Sequence, residues 1–127
     1  MPFQPTRAMV LAAGFGIRLR PLTLDRPKAL VQVAGRALVD HTLDRLAASG
    51  IETAVVNLHY KGNSLRQHLA TRKQPKIILS DETAELLDTG GGVAKALLRL
   101  GVDPFYVLNC DIVWRDARET SLLRLAE

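Results

Sequence analysis

Residues 8–28 read AMVLAAGFGIRLRPLTLDRPK and join a short apolar run to a basic segment that contains two glycines. The run 8–13 is closed by Gly14, which predicts a buried β-strand. Pro21 and Pro27 argue against a continuous helix in residues 14–28, so we predict a long loop there. The segment therefore begins as a strand and continues as a stiffened, positively charged loop.

Strand-like and helical patterns alternate along the rest of the chain. We predict strands at 29–33, 53–58, 76–80 and 105–109, and helices at 37–49, from Asn63 or Ser64 to about Arg72, at 90–100 and within 117–126. Gly50 and Gly101 stand where helices end. The alternation predicts an α/β fold: a Rossmann-like, mainly parallel sheet with helices on both faces, in three α/β/α layers.

The length of 127 residues predicts one domain, spanning residues 1–127. The formal charge is +4, which fits either a soluble basic surface or attraction of an anionic partner. The single cysteine, Cys110, allows no intrachain disulfide, and the N-terminal residues lack the apolar core of a signal peptide. No apolar stretch is long enough for a membrane span. We therefore expect a cytoplasmic protein that does not bind membranes.

The basic loop has the composition of an anion site. A glycine turn after a strand lets backbone N–H groups approach a phosphate chain, and Gly14 and Gly16 are placed to do so. The dinucleotide pattern G-x-G-x-x-G fails at Leu19, and the chain has no G-K-[ST] motif. Instead the glycines precede a group of cations able to bind phosphate oxygens, namely Arg18, Arg20, Arg26 and Lys28. The alternative interpretation is a solvated basic loop.

Three features follow or precede predicted strand ends: the Gly14 turn, Thr89–Gly92 and Asp111. In open parallel sheets, ligands bind beyond the carboxyl ends of the strands, near the point where strand order reverses. A carboxylate such as Asp111 beside a phosphate site suits Mg²⁺, although a turn or capping aspartate is the alternative. The combination favours phosphoryl or nucleotidyl transfer, which needs positioning and charge stabilisation rather than a protein nucleophile.

Four stretches of the sequence resemble those of a known family. LAAGFGIRLRPLTLDRPKAL (residues 11–30) resembles the signature of the sugar-1-phosphate nucleotidyltransferases, and the similarity continues through residues 31–51, LLDTGGGVAKAL (86–97) and FYVLNCDIVW (105–114). The D-T-G-G-G stretch and the strand-end N-x-D are most similar to the N-acetylmuramate-1-phosphate uridylyltransferases of bacterial cell-wall recycling. The mannose-1-phosphate guanylyltransferases are close behind.

The resemblance implies that a sugar 1-phosphate attacks the α-phosphate of a nucleoside triphosphate, releasing pyrophosphate and forming an NDP-sugar. UTP and N-acetylmuramate 1-phosphate are the favoured substrates, with GTP and mannose 1-phosphate as the alternative. The implied roles are base and ribose binding by Leu11, Ala12, Ala13 and Gly14, contact with the nucleoside by Thr89 and Gly90, triphosphate binding by Arg18, charge neutralisation by Lys28, and Mg²⁺ binding by Asp111.

The chain departs from the family pattern in two respects. Cys110 stands before Asp111, where the family often has glycine. Family catalytic domains are also considerably longer, so the resemblance covers only the nucleotide-binding half and leaves out the second metal carboxylate and most of the sugar pocket. The chain is then either an enzyme, or part of one, or a non-catalytic nucleotide-binding module. We expect self-association through an exposed sheet edge and no nucleic-acid binding.

Overall fold

The computed structural model describes residues 4–14, 20–82, 89–101 and 103–110. The strands of its main sheet alternate with the helices in the predicted order. The strands are β1 (Arg7–Leu11), β2 (Gln32–Val33), β3 (Arg36–Ala37), β4 (Thr53–Leu58), β5 (Lys76–Asp81) and β6 (Tyr106–Asn109), and the helices are α1 (Leu38–Ala48), α2 (Gly62–Leu69) and α3 (Thr89–Leu100). The helix predicted within 117–126 lies outside the described residues.

The main sheet has the strand order β5-β4-β1-β6, and every neighbouring pair is parallel. The chain proceeds from β1 outward through β4 to β5, and then returns to place β6 on the other side of β1. The strand order therefore reverses at β1, which is the position where sheets of this kind leave a crevice for ligands.

Side chains of β1 alternate between two hydrophobic clusters, one on each face of the sheet. Ala8 and Val10 pack in the cluster that contains residues of α1 and α2. Met9 and Leu11 pack in the cluster that contains residues of α3. Successive residues of a strand point to opposite faces, so a strand that is apolar throughout requires cover on both sides. The three-layer α/β/α prediction is confirmed.

Helix α1 ends where the glycine pattern indicates. Gly50 has a φ of +83°, a conformation that residues with a Cβ atom seldom adopt. The N–H of Gly50 donates to Ala47 O at 3.2 Å, and that of Ile51 donates to Leu46 O at 3.0 Å. These two bonds form a Schellman motif, which satisfies carbonyls at the helix end and turns the chain towards β4.

The strand predicted over residues 29–33 is wrong. Residues Lys28–Leu30 form a 3-10 turn, and only Gln32–Val33 is a strand, paired antiparallel with β3. Ala29 and Val31 are both buried, and this alternate burial imitates the pattern of a strand. The connection between β2 and β3 places Ala34 and Gly35 at positive φ, as a two-residue hairpin turn requires.

The predicted start and end of the second helix are also wrong. Helix α2 begins at Gly62 and ends at Leu69. Its N-cap is Lys61, which has a φ of +52° and makes no side-chain cap. Asn63 and Ser64 were predicted as caps because their oxygens suit that role. The left-handed turn at Lys61 starts the helix before either residue is reached.

An ionic cluster fixes the end of the α2 segment to α1. The guanidinium of Arg72 donates to Asp40 Oδ1 at 3.1 Å and to Asp44 Oδ1 at 2.7 Å. Its side chain is 14% exposed. His68 Nε2 lies 2.7 Å from Asp40 Oδ2, and Arg36 lies 2.9 Å from Asp44. Because Arg72 is largely buried and has two carboxylate partners, we expect it to contribute more to stability than an isolated surface ion pair does.

We predict that Arg72→Ala lowers the free energy of unfolding by about 2 kcal/mol, because the Asp40 carboxylate, which is 15% exposed, loses its guanidinium partner. Arg66→Ala is the matched control: Arg66 pairs with Asp81 at 3.0 Å, but both side chains are about half exposed. Its loss should cost less than about 1 kcal/mol. Urea denaturation of the two variants measures the difference, and equal losses would contradict this account of the cluster.

The described part of the sheet has β5 and β6 at its edges. Val107 on the edge strand β6 is 45% exposed, so an apolar side chain of this strand remains in contact with solvent. Self-association through this edge stays a prediction. Within the described ranges, the structure contains no helix that is both long and apolar enough to cross a membrane.

Candidate functional site

The candidate site begins at the carboxyl ends of β1 and β6. Leu11 is the register partner of Asn109, and the N–H of Cys110 lies 3.4 Å from Leu11 O. The chain therefore leaves β1 and β6 at neighbouring positions, with Cys110 beside the end of β1. This is the reversal point of the strand order, where the sequence predicted that the glycine loop and the strand-end aspartate meet.

The last residue of β1 and the two residues after it are buried. Leu11, Ala12 and Ala13 are 8%, 1% and 4% exposed. Their apolar side chains carry no hydrogen-bonding groups, so the predicted role of this segment in binding base and ribose depends on its main chain. The N–H of Ala12 is already engaged, because it donates to Asn57 Oδ1 at 2.5 Å.

Lys28 lies over the glycine turn. A Cβ atom built on Gly14 would stand 3.3 Å from Lys28 Nζ and 3.6 Å from its Cε. Pro27 is buried before Lys28, and the N–H of Val31 donates to Lys28 O at 3.1 Å, so the main chain under this lysine is held. No ion pair of Lys28 occurs among the described residues. A held backbone and an ammonium group beside a glycine turn are features that suit the binding of an anion.

Tyr60, which lies just after β4, holds the loop that leads to Lys28. Its hydroxyl donates to Thr23 O at 2.7 Å, and the Thr23 side chain is 1% exposed. Arg26 is satisfied locally by Asp25 at 3.3 Å, and its hydrogen bond is the main cause of a lowered pKa of the Asp25 carboxyl. Lys28 and Arg26 therefore differ, since within the described ranges Arg26 has a neighbouring counter-charge and Lys28 has none.

Helix α3 also begins at the carboxyl ends of the strands. Its first residues, Thr89 and Gly90, belong to the predicted nucleoside contact, and Gly90 is exposed. Gly92 is buried, and a Cβ atom there would stand 3.2 Å from Glu82 Oε2 and 3.3 Å from Asn57 Nδ2. The glycine thus lets the first turn of the helix approach a polar pair in the interior.

Asn57 and Glu82 lie beside Ala12 and Gly92 at the candidate site, and the sequence analysis did not single them out. Asn57 Nδ2 donates to Glu82 Oε2 at 2.9 Å, and the two residues are 4% and 1% exposed. The available signal was a lone asparagine in the apolar strand TAVVNL, and a glutamate directly after β5. Because burying a polar side chain is costly, a buried hydrogen-bonded pair beside a candidate site suggests that the pair holds nearby residues of the site in place.

Three predicted site residues, Gly16, Arg18 and Asp111, lie outside the described residues, as does the side chain of Thr89. Their assignments remain predictions. In the portion of the chain that the structure describes, no group of three or more His, Cys, Asp or Glu side chains is arranged to hold a metal ion. The Mg²⁺ site that the sequence analysis assigns to Asp111 therefore remains a prediction.

Comparison with known proteins assigns the family. The Nucleotidyl transferase family model matches residues 7–127. The chain belongs to the nucleotidyl transferase family. It is 55% identical over 114 residues to the N-acetylmuramate alpha-1-phosphate uridylyltransferase of Caulobacter vibrioides, covering 87% of this chain and 47% of that protein. The resemblance predicted from the residue 11–30 signature is confirmed.

A second relative in the nucleotidyl transferase family is the mannose-1-phosphate guanylyltransferase 1 of Arabidopsis thaliana, 39% identical over 113 residues, with 84% of this chain and 31% of that protein covered. Among solved structures, UDP-glucose pyrophosphorylase complexed with UDP-glucose has a TM-score of 0.84 at 16% identity, covering 97% of this chain and 52% of that chain. This likeness establishes the fold. The chain spans about half the length of its uridylyltransferase relative.

We predict that Gly14→Ala weakens nucleoside triphosphate binding about fivefold to tenfold, the equivalent of one displaced hydrogen bond. The added methyl group meets the end of the flexible Lys28 side chain, so the ammonium moves aside and the free energy of unfolding changes by less than about 0.5 kcal/mol. Calorimetric titration and urea denaturation measure the two effects.

The Lys28→Ala background supplies the control for Gly14→Ala. If Gly14→Ala acts by displacing the ammonium, it should have no further effect on affinity once that ammonium is absent. An equal loss in both backgrounds would assign the effect to the main chain of the turn instead.

Proposed function

We propose that this chain carries the nucleotide-binding part of a sugar-1-phosphate nucleotidyltransferase that joins UTP to N-acetylmuramate 1-phosphate. The observation that carries the proposal is the position of the Lys28 ammonium over Gly14, at the reversal point of the strand order. The 55% identity to a uridylyltransferase of N-acetylmuramate 1-phosphate supports this choice of base and sugar.

In the proposed reaction, a phosphate oxygen of the sugar 1-phosphate attacks the α-phosphorus of the nucleoside triphosphate. A phosphorus–oxygen bond forms there, and the bond from the α-phosphorus to the oxygen bridging it to the β-phosphate breaks. Pyrophosphate leaves with that electron pair. Negative charge accumulates on the α-phosphate oxygens, so a fixed cation stabilises the transition state more than the ground state.

The proposal gives each site residue one task. The main chain of Leu11–Gly14 binds base and ribose, Gly16 adds a close approach to the phosphates, and Thr89 and Gly90 contact the nucleoside. Arg18 binds the triphosphate, and Lys28 neutralises charge on the α-phosphate. Mg²⁺, held by Asp111, would supply further charge neutralisation at the phosphates.

A non-catalytic nucleotide-binding module is the second candidate. GTP with mannose 1-phosphate is the alternative substrate pair, supported by the 39% identity to a guanylyltransferase. Under the first proposal the enzyme is cytoplasmic, because nucleoside triphosphates are found there, and it serves cell-wall recycling.

Calorimetric titration of UTP, GTP, CTP and dTTP, each with and without Mg²⁺, tests the proposal. We expect UTP to bind most tightly and its affinity to depend on the metal. A pyrophosphate-release assay with N-acetylmuramate 1-phosphate then separates the enzyme from the module. Binding without turnover would favour the module, and binding of none of the four nucleotides would contradict the proposed function.

We predict that Lys28→Ala weakens UTP binding about 10- to 100-fold, because a charge-assisted hydrogen bond contributes about 1.5–3 kcal/mol. Any turnover should be lost with it. Lys73→Ala is the control, since Lys73 is exposed between α2 and β5. If both lysine variants bound UTP like the parent chain, the phosphate role of Lys28 would be wrong.

We predict that Asp111→Asn removes the Mg²⁺ dependence of UTP binding, since the neutral amide is a much weaker ligand for this cation. The measurement is the ratio of UTP dissociation constants with and without the metal. Asp103→Asn is the control, because Asp103 is exposed before β6. An unchanged ratio in Asp111→Asn would place the metal elsewhere.

A further inference from the structure

We infer that Asn57 and Glu82 are positioning residues that fix two nucleotide-binding segments relative to each other. One segment is the main chain after β1, and the other is the first turn of α3. The inference rests on the proposed function, since it is a nucleotide that these segments are proposed to bind. Neither side chain is exposed enough to contact a ligand itself, at 4% and 1%.

Asn57 joins the end of β1 to Glu82 through both ends of one amide. Its Oδ1 accepts from the N–H of Ala12 at 2.5 Å, and its Nδ2 donates to Glu82 Oε2 at 2.9 Å. An ionised carboxylate only accepts hydrogen bonds, so it selects the amide orientation in which the NH₂ group faces Glu82. The oxygen must then face Ala12, and the Ala12 main chain is held at a fixed place.

The main chain of Glu82 is itself held by residues at the end of β4. Its N–H donates to Leu58 O at 2.7 Å. Its carbonyl accepts from His59 Nδ1 at 2.6 Å. Burying a carboxylate is costly unless it is hydrogen-bonded, and a backbone fixed on both sides keeps this carboxylate aligned with Asn57.

The same pair supports the first turn of α3. Gly92 packs against both side chains, at 3.2 Å from Glu82 Oε2 and 3.3 Å from Asn57 Nδ2 for a Cβ atom built on it. The start of a helix also favours a nearby negative charge. A shift of Asn57 or Glu82 would therefore displace the Ala12 main chain and the helix start together.

A purely structural role predicts a loss of stability without a specific loss of nucleotide affinity. Asn57→Asp separates the two roles. The new carboxylate can still accept from Ala12, but its second oxygen faces Glu82, so like charges repel. Adding Glu82→Gln supplies an NH₂ donor to that second oxygen. The hydrogen bond between positions 57 and 82 is then restored with donor and acceptor exchanged, and the bond from the Ala12 N–H is kept.

We predict that Asn57→Asp weakens UTP binding about tenfold and that the double variant with Glu82→Gln returns to within about threefold of the parent chain. Glu82→Gln alone keeps an acceptor for Asn57 and should change affinity less than about threefold. Calorimetric titration of UTP with Mg²⁺ measures affinity, and NMR measures hydrogen exchange of the Ala12 amide without nucleotide. That amide should exchange about tenfold faster in Asn57→Asp and recover in the double variant.

Leu65→Val is the control for stability. Leu65 is 1% exposed in the cluster on the other face of the sheet, so the variant loses core packing but should bind UTP like the parent chain. Unchanged affinity in Asn57→Asp, or recovery of stability without affinity in the double variant, would overturn the inference. If Asn57→Asp does not fold, recovery of folding and affinity in the double variant still supports it.

Failure of the proposed function gives a different pattern. The parent chain would then bind none of the four nucleotides, and no nucleotide role would remain for the pair. A parent chain that binds UTP, with every Asn57 and Glu82 variant binding equally well, would refute the positioning role alone.

Discussion

Parallel pairing of β1 with both β4 and β6 is the constraint on which the rest of the site depends. The strand is hydrogen-bonded along both edges, and Ala8, Met9 and Val10 are wholly buried. A slip of one residue would exchange the side chains between the two faces and spoil both clusters. The point at which the chain leaves the sheet is therefore fixed to within one residue, and the glycine turn starts from a rigid base.

Polar contacts extend that rigidity beyond the end of the strand. Asn57 holds the Ala12 amide, and Tyr60 holds the carbonyl of Thr23. Both belong to β4 or to the residues directly after it, so this part of the chain holds the main chain before the basic loop, at Ala12, and within the loop, at Thr23. Lys28 needs such support because a flexible ammonium group is useful only where its backbone is held. Preorganised charge of this kind avoids reorganisation when an anion binds.

The sequence predicted the elements whose causes are local. An apolar run bounded by polar residues indicated β4 with its observed bounds, and Gly50 marked the end of α1 because a left-handed residue must follow the helix. Residues 29–33 were predicted wrongly, since burial of Ala29 and Val31 is equally compatible with a strand and a 3-10 turn. Lys61 was not predicted as a helix start, because a lysine side chain gives no indication of a left-handed backbone conformation.

The supporting contacts of the site were beyond the same reasoning. Lys28 and Gly14 belong to one motif, and their proximity follows from the resemblance. Asn57 and Glu82 are separated by 25 residues, and Tyr60 and Thr23 by 37. Such pairs form only after strand order and register are set, so neither hydrophobic period nor composition reveals them. An isolated polar residue in a buried strand indicates only that a partner exists.

The position of β6 beside β1 has a consequence for how the chain folds during synthesis. β1 and β4 emerge from the ribosome early, whereas the strand that completes the other side of β1 ends at residue 109. β1 therefore presents an unpaired edge until residues 106–109 have been made. Pairing across that separation is slow because the intervening loop must be closed first. The nascent chain is consequently most prone to aggregation before its sixth strand arrives.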